Sequence, residues 1–107
     1  MKEISVQDAF SKLATGEVVA IDVRELDEFS AGHIEGVDFN PMSSFDVSKV
    51  PTNKPVVVIC RSGNRSGRVC EALLESHPNL LNMIGGMQAW ALVGYEMVSD
   101  TGEPHVL

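Results

Sequence analysis

Four consecutive β-branched residues, Val56-Val57-Val58-Ile59, run between Pro55 and Cys60, after which the chain changes at once to Arg61-Ser62-Gly63-Asn64-Arg65-Ser66. An unbroken apolar run of this kind reads as a strand buried on both faces, which points to a parallel sheet covered on two sides. The polar loop leads into a helix expected over Ser66 to Ser76, with Val69, Cys70, Leu73 and Leu74 on one face. Whatever fold this chain adopts must accommodate a buried strand that turns sharply into a helix.

The remaining segments alternate in the same way. Ser5 reads as an N-cap with Asp8 at the capping-box position; Ala9, Phe10, Leu13 and Ala14 keep helical spacing, and Gly16 ends the segment. Val18 to Val23 reads as a second buried strand, Glu25 to Ala31 as a short helix closed by Gly32, and Ile34 to Phe39 as a short strand. Pro41 to Pro51 reads as irregular, with one helical turn around Ser44 to Val47. Asn79 to Ile84 is a further expected strand, Gly85-Gly86 a turn, and Met87 to Leu92 a helix that stops near Gly94. Strand and helix alternating predict an α/β domain with a mainly parallel central sheet and helices on both faces. A chain of 107 residues with 44% hydrophobic residues has material for one core, so a single domain over residues 1–107 is expected, with a loosely ordered tail from about Ser99 to Leu107.

The formal net charge of −7 argues against nucleic acid or an anionic membrane as a main partner. The N-terminal residues lack the apolar run of a secretion signal and no apolar segment reaches membrane-spanning length, so a cytoplasmic location is expected. In such a compartment Cys60 and Cys70 are better read as thiols than as a disulfide. Three of the eight basic residues, Arg61, Arg65 and Arg68, fall within eight positions. Against an acidic background this is either a site for a small anion or a solvated helix face.

Cys60 carries the chemistry. Ligands of open parallel sheets bind beyond the carboxyl ends of strands, where Cys60 is expected to lie. Gly63 and Asn64 tolerate unusual backbone angles, so the loop can curl its N–H groups towards one centre. The following helix start and the side chains of Arg61 and Arg65 add positive potential. A thiol so placed has its pKa lowered from about 8.5 to roughly 3.5–7.5, which makes it a nucleophile at neutral pH. A cysteine that merely ends a core strand would instead be inert. The loop composition, the flanking arginines and the helix start favour the reactive reading for Cys60. Cys70, mid-helix between Val69 and Leu73, reads as core packing.

Taken together, the motifs resemble the rhodanese family. Cys60-Arg-Ser-Gly-Asn-Arg65-Ser66 is similar to that family's active-site loop, Ile21-Asp22-Val23-Arg24-Glu25 to its strand-end motif, and Phe29-Ser-Ala-Gly32-His33-Ile34-Glu35-Gly36-Val37 with Asn40-Pro41 to its Gly-His-Ile segment. Gly85-Gly86-Met87-Gln88-Ala89-Trp90 is similar to its Gly-Gly-x-x-x-Trp segment. The likeness runs from about Ser5 to Val98. It implies a rhodanese-like three-layer α/β/α fold with five strands, and a thiosulfate:cyanide type of sulfurtransferase. Cys60 would attack the outer sulfur of a small anionic donor such as thiosulfate, carry it as a persulfide, and give it to cyanide, a thiol or a protein. The N–H groups from Arg61 through Ser62, Gly63, Asn64 and Arg65 to Ser66 would cradle the persulfide, and Arg61 and Arg65 would hold the donor's sulfonate. No metal or organic cofactor is implied.

The other motif residues read as structural: Asp22, Arg24 and Glu25 as charge pairs at a strand end, His33 as a hydrogen-bonded turn histidine, Trp90 as core. His77 and His105 have no spacing that suggests a metal site. A Cys/Arg phosphatase is a rival, but its loop is one residue longer, and here the sixth position after the cysteine is Ser66 rather than arginine. Arsenate reduction, and a sulfur-relay or regulatory binding module, are the remaining alternatives.

Overall fold

The computed structural model describes residues 1–107. In chain order it contains β1 (Lys2–Ile4), α1 (Val6–Thr15), β2 (Val19–Asp22), α2 (Leu26–Ala31), β3 (Asp38–Phe39), two 3-10 turns (Met42–Ser44 and Val47–Lys49), β4 (Val56–Ile59), α3 (Asn64–Ala72), β5 (Leu80–Met83) and α4 (Gly86–Val93). The five strands form one sheet in the order β1-β5-β4-β2-β3, and every pairing is parallel. The apolar run therefore became the central strand. Val56 to Ile59 are all fully buried, as a strand with a neighbour on each side and helices above and below must be.

Alternate residues of β4 feed two cores. Val57 and Ile59 pack with Ala9 of α1 and with Met87 and Trp90 of α4. Val56, Val58 and Cys60 pack on the other face with Val69 and Cys70 of α3, Ile21, and Val50 after the second 3-10 turn. This is the three-layer α/β/α arrangement. Trp90 is core, its indole N–H bonded to the Glu96 carbonyl at 3.0 Å.

Element boundaries moved where backbone geometry overrode pattern. Helix α3 begins at Asn64 rather than Ser66, because Gly63 adopts φ +101° and serves as N-cap. The expected strand over Ile34 to Phe39 shrinks to Asp38–Phe39, since a turn closes Val37 N–H onto the Ile34 carbonyl. The edge strand β1 was not apparent in the sequence; only Ile4 of its three residues is buried. From Ser99 onward there is no helix or strand, yet the segment is tied down: Asp100 N–H bonds to the Ser30 carbonyl, His105 N–H to that of Ala31, and Arg61 Nε to that of Leu107.

The connections run from β2 outward to β3 on one side and from β4 outward to β5 on the other. The crevice at a reversal of this kind lies beyond the carboxyl ends of β2 and β4, and those ends carry Asp22 and Cys60.

Candidate active site

Three residues after Cys60 the loop has turned back on itself. Gly63 N–H points at Cys60 Sγ, 3.0 Å away, and the Ser66 hydroxyl lies 3.2 Å from the same sulfur. The curl is held from outside by α4. Met87 N–H bonds to the Cys60 carbonyl at 2.9 Å and Gln88 N–H to the Arg61 carbonyl at 3.0 Å. In a trans peptide the N–H points away from the C=O. Anchoring these two carbonyls on α4 therefore turns the N–H groups of Arg61 and Ser62 to the opposite side of the loop. Gly86, at φ +56°, makes the approach possible: a Cβ there would lie 2.6 Å from the Arg61 carbonyl oxygen and closer still to that of Cys60.

The electrostatics follow from this cradle. Burial by itself would push the Cys60 thiol up. The Ser66 hydroxyl and the N–H groups of Ser66, Gly63 and Ser62 outweigh it, and the thiol lies below its ordinary value. At Cys70 burial outweighs a single backbone N–H and pushes the thiol up to about 11. The loop donors thus favour the anionic form of Cys60, whereas burial disfavours that of Cys70, and both are free thiols.

The two arginines expected to hold a donor have partners inside the fold. Arg65 makes a two-pronged pair with Glu28 of α2, Nη1 to Oε1 and Nη2 to Oε2, each 2.7 Å. Arg61 donates from Nε to the Leu107 carbonyl, and in the amide orientation that satisfies both groups Gln88 accepts from Arg61 Nη1 at 2.9 Å. The Arg65 guanidinium in turn holds the Glu28 carboxyl below the usual carboxylate range. Glu28 also caps its own helix, accepting the Glu25 N–H at 3.0 Å.

Cys60 itself has no exposed surface. An open groove of about 330 Å³ lies alongside the loop, lined by Ser62, Gly63, Asn64, Gly67, Asn82 and Gly85 among others. It reaches the immediate partners of the sulfur but not the sulfur.

Around this centre the supporting motifs take structural positions. Asp22 and Arg24 form a fully buried pair at 2.8 Å, and Arg24 Nη2 also bonds the Gly32 carbonyl at 2.8 Å. Glu25 receives the hydroxyl and N–H of Ser43. His33 places Nδ1 2.7 Å from the Phe29 carbonyl and stacks on the Phe29 ring. Two site residues escaped the sequence reading. Glu28 falls within the short helix expected over Glu25 to Ala31 and belongs to none of the motif positions named there. Asn82 lies in β5, 5% exposed, and its side chain reaches both Ser66 and Gly63. The signal for it was present as a lone polar residue inside Leu80-Leu81-Asn82-Met83.

Comparison with known proteins matches the chain to the rhodanese-like domain model over residues 5–92. A sulfurtransferase of Allochromatium vinosum is 33% identical over 106 residues, covering 95% of this chain and 99% of its own length. A putative sulfurtransferase of Bacillus subtilis is 38% identical over 93 residues, covering 84% of this chain and 90% of its own. Among solved structures, a rhodanese-related protein from Thermoplasma volcanium superposes with a TM-score of 0.85 at 29% identity, covering 92% of this chain and 98% of that one.

Proposed function

The chain belongs to the rhodanese-like domain family, whose members among its relatives include sulfurtransferases, and on that premise we propose that it transfers sulfane sulfur through a persulfide on Cys60. The observation that carries this reading is the Gly63 N–H set 3.0 Å from Cys60 Sγ inside a loop whose neighbouring donors lower that thiol. A thiolate at this position attacks the outer sulfur of a donor such as thiosulfate. The new bond is Sγ to sulfur; the donor's sulfur–sulfur bond breaks and sulfite leaves with its electron pair. The product, Cys60–S–S⁻, keeps one negative charge, now on the outer sulfur, where amide groups of the loop stabilise it. Attack on that outer sulfur by cyanide or a thiolate returns the Cys60 thiolate. No proton needs to move in either step, which fits a site without a general acid or base beside the sulfur.

The shape of the loop favours this reading over phosphate-ester hydrolysis. The loop arginine, Arg65, stands five residues after Cys60, and the sixth position, where a Cys/Arg phosphatase carries its arginine, is Ser66. The sealed position of Sγ means that the loop must open locally for donor and acceptor to reach it. An acceptor or donor carried on a protein thiol fits an opening next to the groove of Gly63, Asn64 and Asn82 as well as cyanide does.

Incubation with thiosulfate followed by intact-mass measurement tests the proposal. The protein should gain one sulfur atom, lose it again on adding cyanide, and fail to gain it as Cys60→Ser. Turnover of a phosphate ester without sulfur loading would overturn it.

A further inference from the structure

One hydroxyl proton in this site faces two acceptors. Ser66 Oγ lies 3.2 Å from Cys60 Sγ and 2.5 Å from Asn82 Oδ1. The Asn82 amide is fixed in orientation, because its Nδ2 donates to the Gly63 carbonyl at 3.0 Å and so leaves the oxygen to meet Ser66. Cys60 and Ser66 are fully buried, so bulk solvent offers neither of them an alternative partner, while Asn82, 5% exposed, lines the groove with its amide already bonded to Ser66 and Gly63.

A serine hydroxyl has a single proton to donate. While Cys60 is a thiol, its S–H can donate to Ser66 Oγ and Ser66 to Asn82 Oδ1, which satisfies the whole chain. Once Cys60 is a thiolate it has no proton to give, and the hydroxyl must turn towards sulfur. The Asn82 oxygen then faces a lone pair across a short distance. We propose that Asn82 is a positioning residue that competes with Cys60 for the Ser66 proton, and so restrains ionisation of the nucleophile. A restraint of this kind is useful because a thiolate's intrinsic reactivity falls as its pKa falls. In a persulfide the inner sulfur is uncharged, and the hydroxyl can return to Asn82, so the same pair favours the loaded enzyme over the bare thiolate.

The charged groups near the sulfur do not compete for the Ser66 proton. On α3, Arg65 is neutralised by Glu28 and Cys70 is protonated at neutral pH. Just beyond β2, Arg24 neutralises Asp22 at the strand's end, and in the loop Arg61 is turned to Leu107 and Gln88. None of them hydrogen-bonds to the Ser66 hydroxyl.

The inference rests on Cys60 being the nucleophile, but its test reads titration alone. The rate of Cys60 alkylation by iodoacetamide is measured across pH, with the adduct assigned by peptide mass. Asn82→Leu keeps the branched outline of the side chain, deletes the acceptor together with the donor to Gly63, and should lower the inflection by about half to one pH unit. In a Ser66→Ala background the same substitution should leave the inflection where it was. A purely structural Asn82 predicts the opposite sign, since loss of its bond to Gly63 would loosen the N–H that holds Sγ. An inflection that stays or rises in Asn82→Leu, or a drop that persists without the Ser66 hydroxyl, would overturn the proposal. Asn82→Ala is read in the same way if the leucine variant does not fold. If the expected drop is seen but thiosulfate loads no sulfur, it is the sulfur-transfer reading that fails while the role of Asn82 stands.

Discussion

Arg65 and Glu28 face each other with both nitrogens of one fork 2.7 Å from both oxygens of the other, joining the helix after the active-site loop to the short helix after β2. The pair is only partly exposed, at 32% and 16%. An anionic donor that uses Arg65 must take it from a carboxylate already in place. Glu28→Gln keeps the acceptor for the Glu25 N–H and removes the competing charge. We expect the KM for thiosulfate to fall about threefold to tenfold, the scale of one ordinary hydrogen bond at a partly exposed ion pair, with kcat changed much less. Steady-state kinetics at fixed ionic strength reads this directly. A KM that rises would mean that Glu28 is needed to hold Arg65 in position.

Lowering of the Cys60 thiol has a kinetic signature. Alkylation of Cys60 should rise with pH through an inflection below the ordinary thiol value of about 8.5, and Ser66→Ala should move that inflection up. Because Sγ is covered, the plateau rate should also fall short of that of a free thiolate and increase in mild denaturant, where the loop opens more often. The sign for stability follows from the lowered value: the thiolate stabilises the fold above the unfolded thiol's pKa, and that contribution is lost as pH falls through the folded one. An inflection at or above the free-thiol value would remove the basis for a nucleophilic role.

Much of this site was legible because it is local in sequence. Val56 to Ile59, Cys60 and the loop to Ser66 lie within eleven positions, and the buried strand, the turn and the reactive cysteine are consequences of neighbouring residues. The fold class followed from the same alternation, as did the capping of α1 by Ser5, whose hydroxyl accepts the Asp8 N–H at 3.1 Å. What stayed hidden depends on partners far along the chain. Arg65 is expected from the sequence to hold a donor's sulfonate, and nothing near it in sequence announces that Glu28, thirty-seven residues away, will meet it. Asn82 falls within the strand expected over Asn79 to Ile84, and only the pairing of β4 with β5 brings it beside Ser66. The strand β1 is too short to show an alternation and exists because β5 offers it an edge.

Cys70 should act on stability with the opposite sign to Cys60. Burial raises it to about 11, so the fold favours its neutral form. Its contribution is complete below the unfolded thiol's pKa and is lost as pH rises from about 9 towards 11. Thermal unfolding across that range should show a steeper loss of Tm in the wild type than in Cys70→Ala, where only the pH-independent cost of the smaller side chain remains. Sulfur loading by Cys70→Ala at neutral pH should be preserved. Parallel Tm curves would mean that Cys70 is ionised as easily in the fold as outside it.

Gly86→Ala should damage stability and chemistry together, because one contact serves both. Gly86 sits at φ +56°, and an added Cβ would press on the carbonyls of Cys60 and Arg61. Those carbonyls are the ones that accept the first N–H groups of α4. Strain at the left-handed position together with displacement of two buried hydrogen bonds should cost roughly 2 to 4 kcal/mol, measurable by urea unfolding. The chemical consequence is separate. If the two peptide units are free to rotate, the Ser62 N–H no longer faces inward, and one of the groups that lowers the Cys60 thiol is lost. The alkylation inflection of folded Gly86→Ala should therefore rise towards the free-thiol value, at temperatures where the variant remains native by circular dichroism. A variant that loses stability but keeps the wild-type inflection would show that α4 only braces the loop and does not aim its amides.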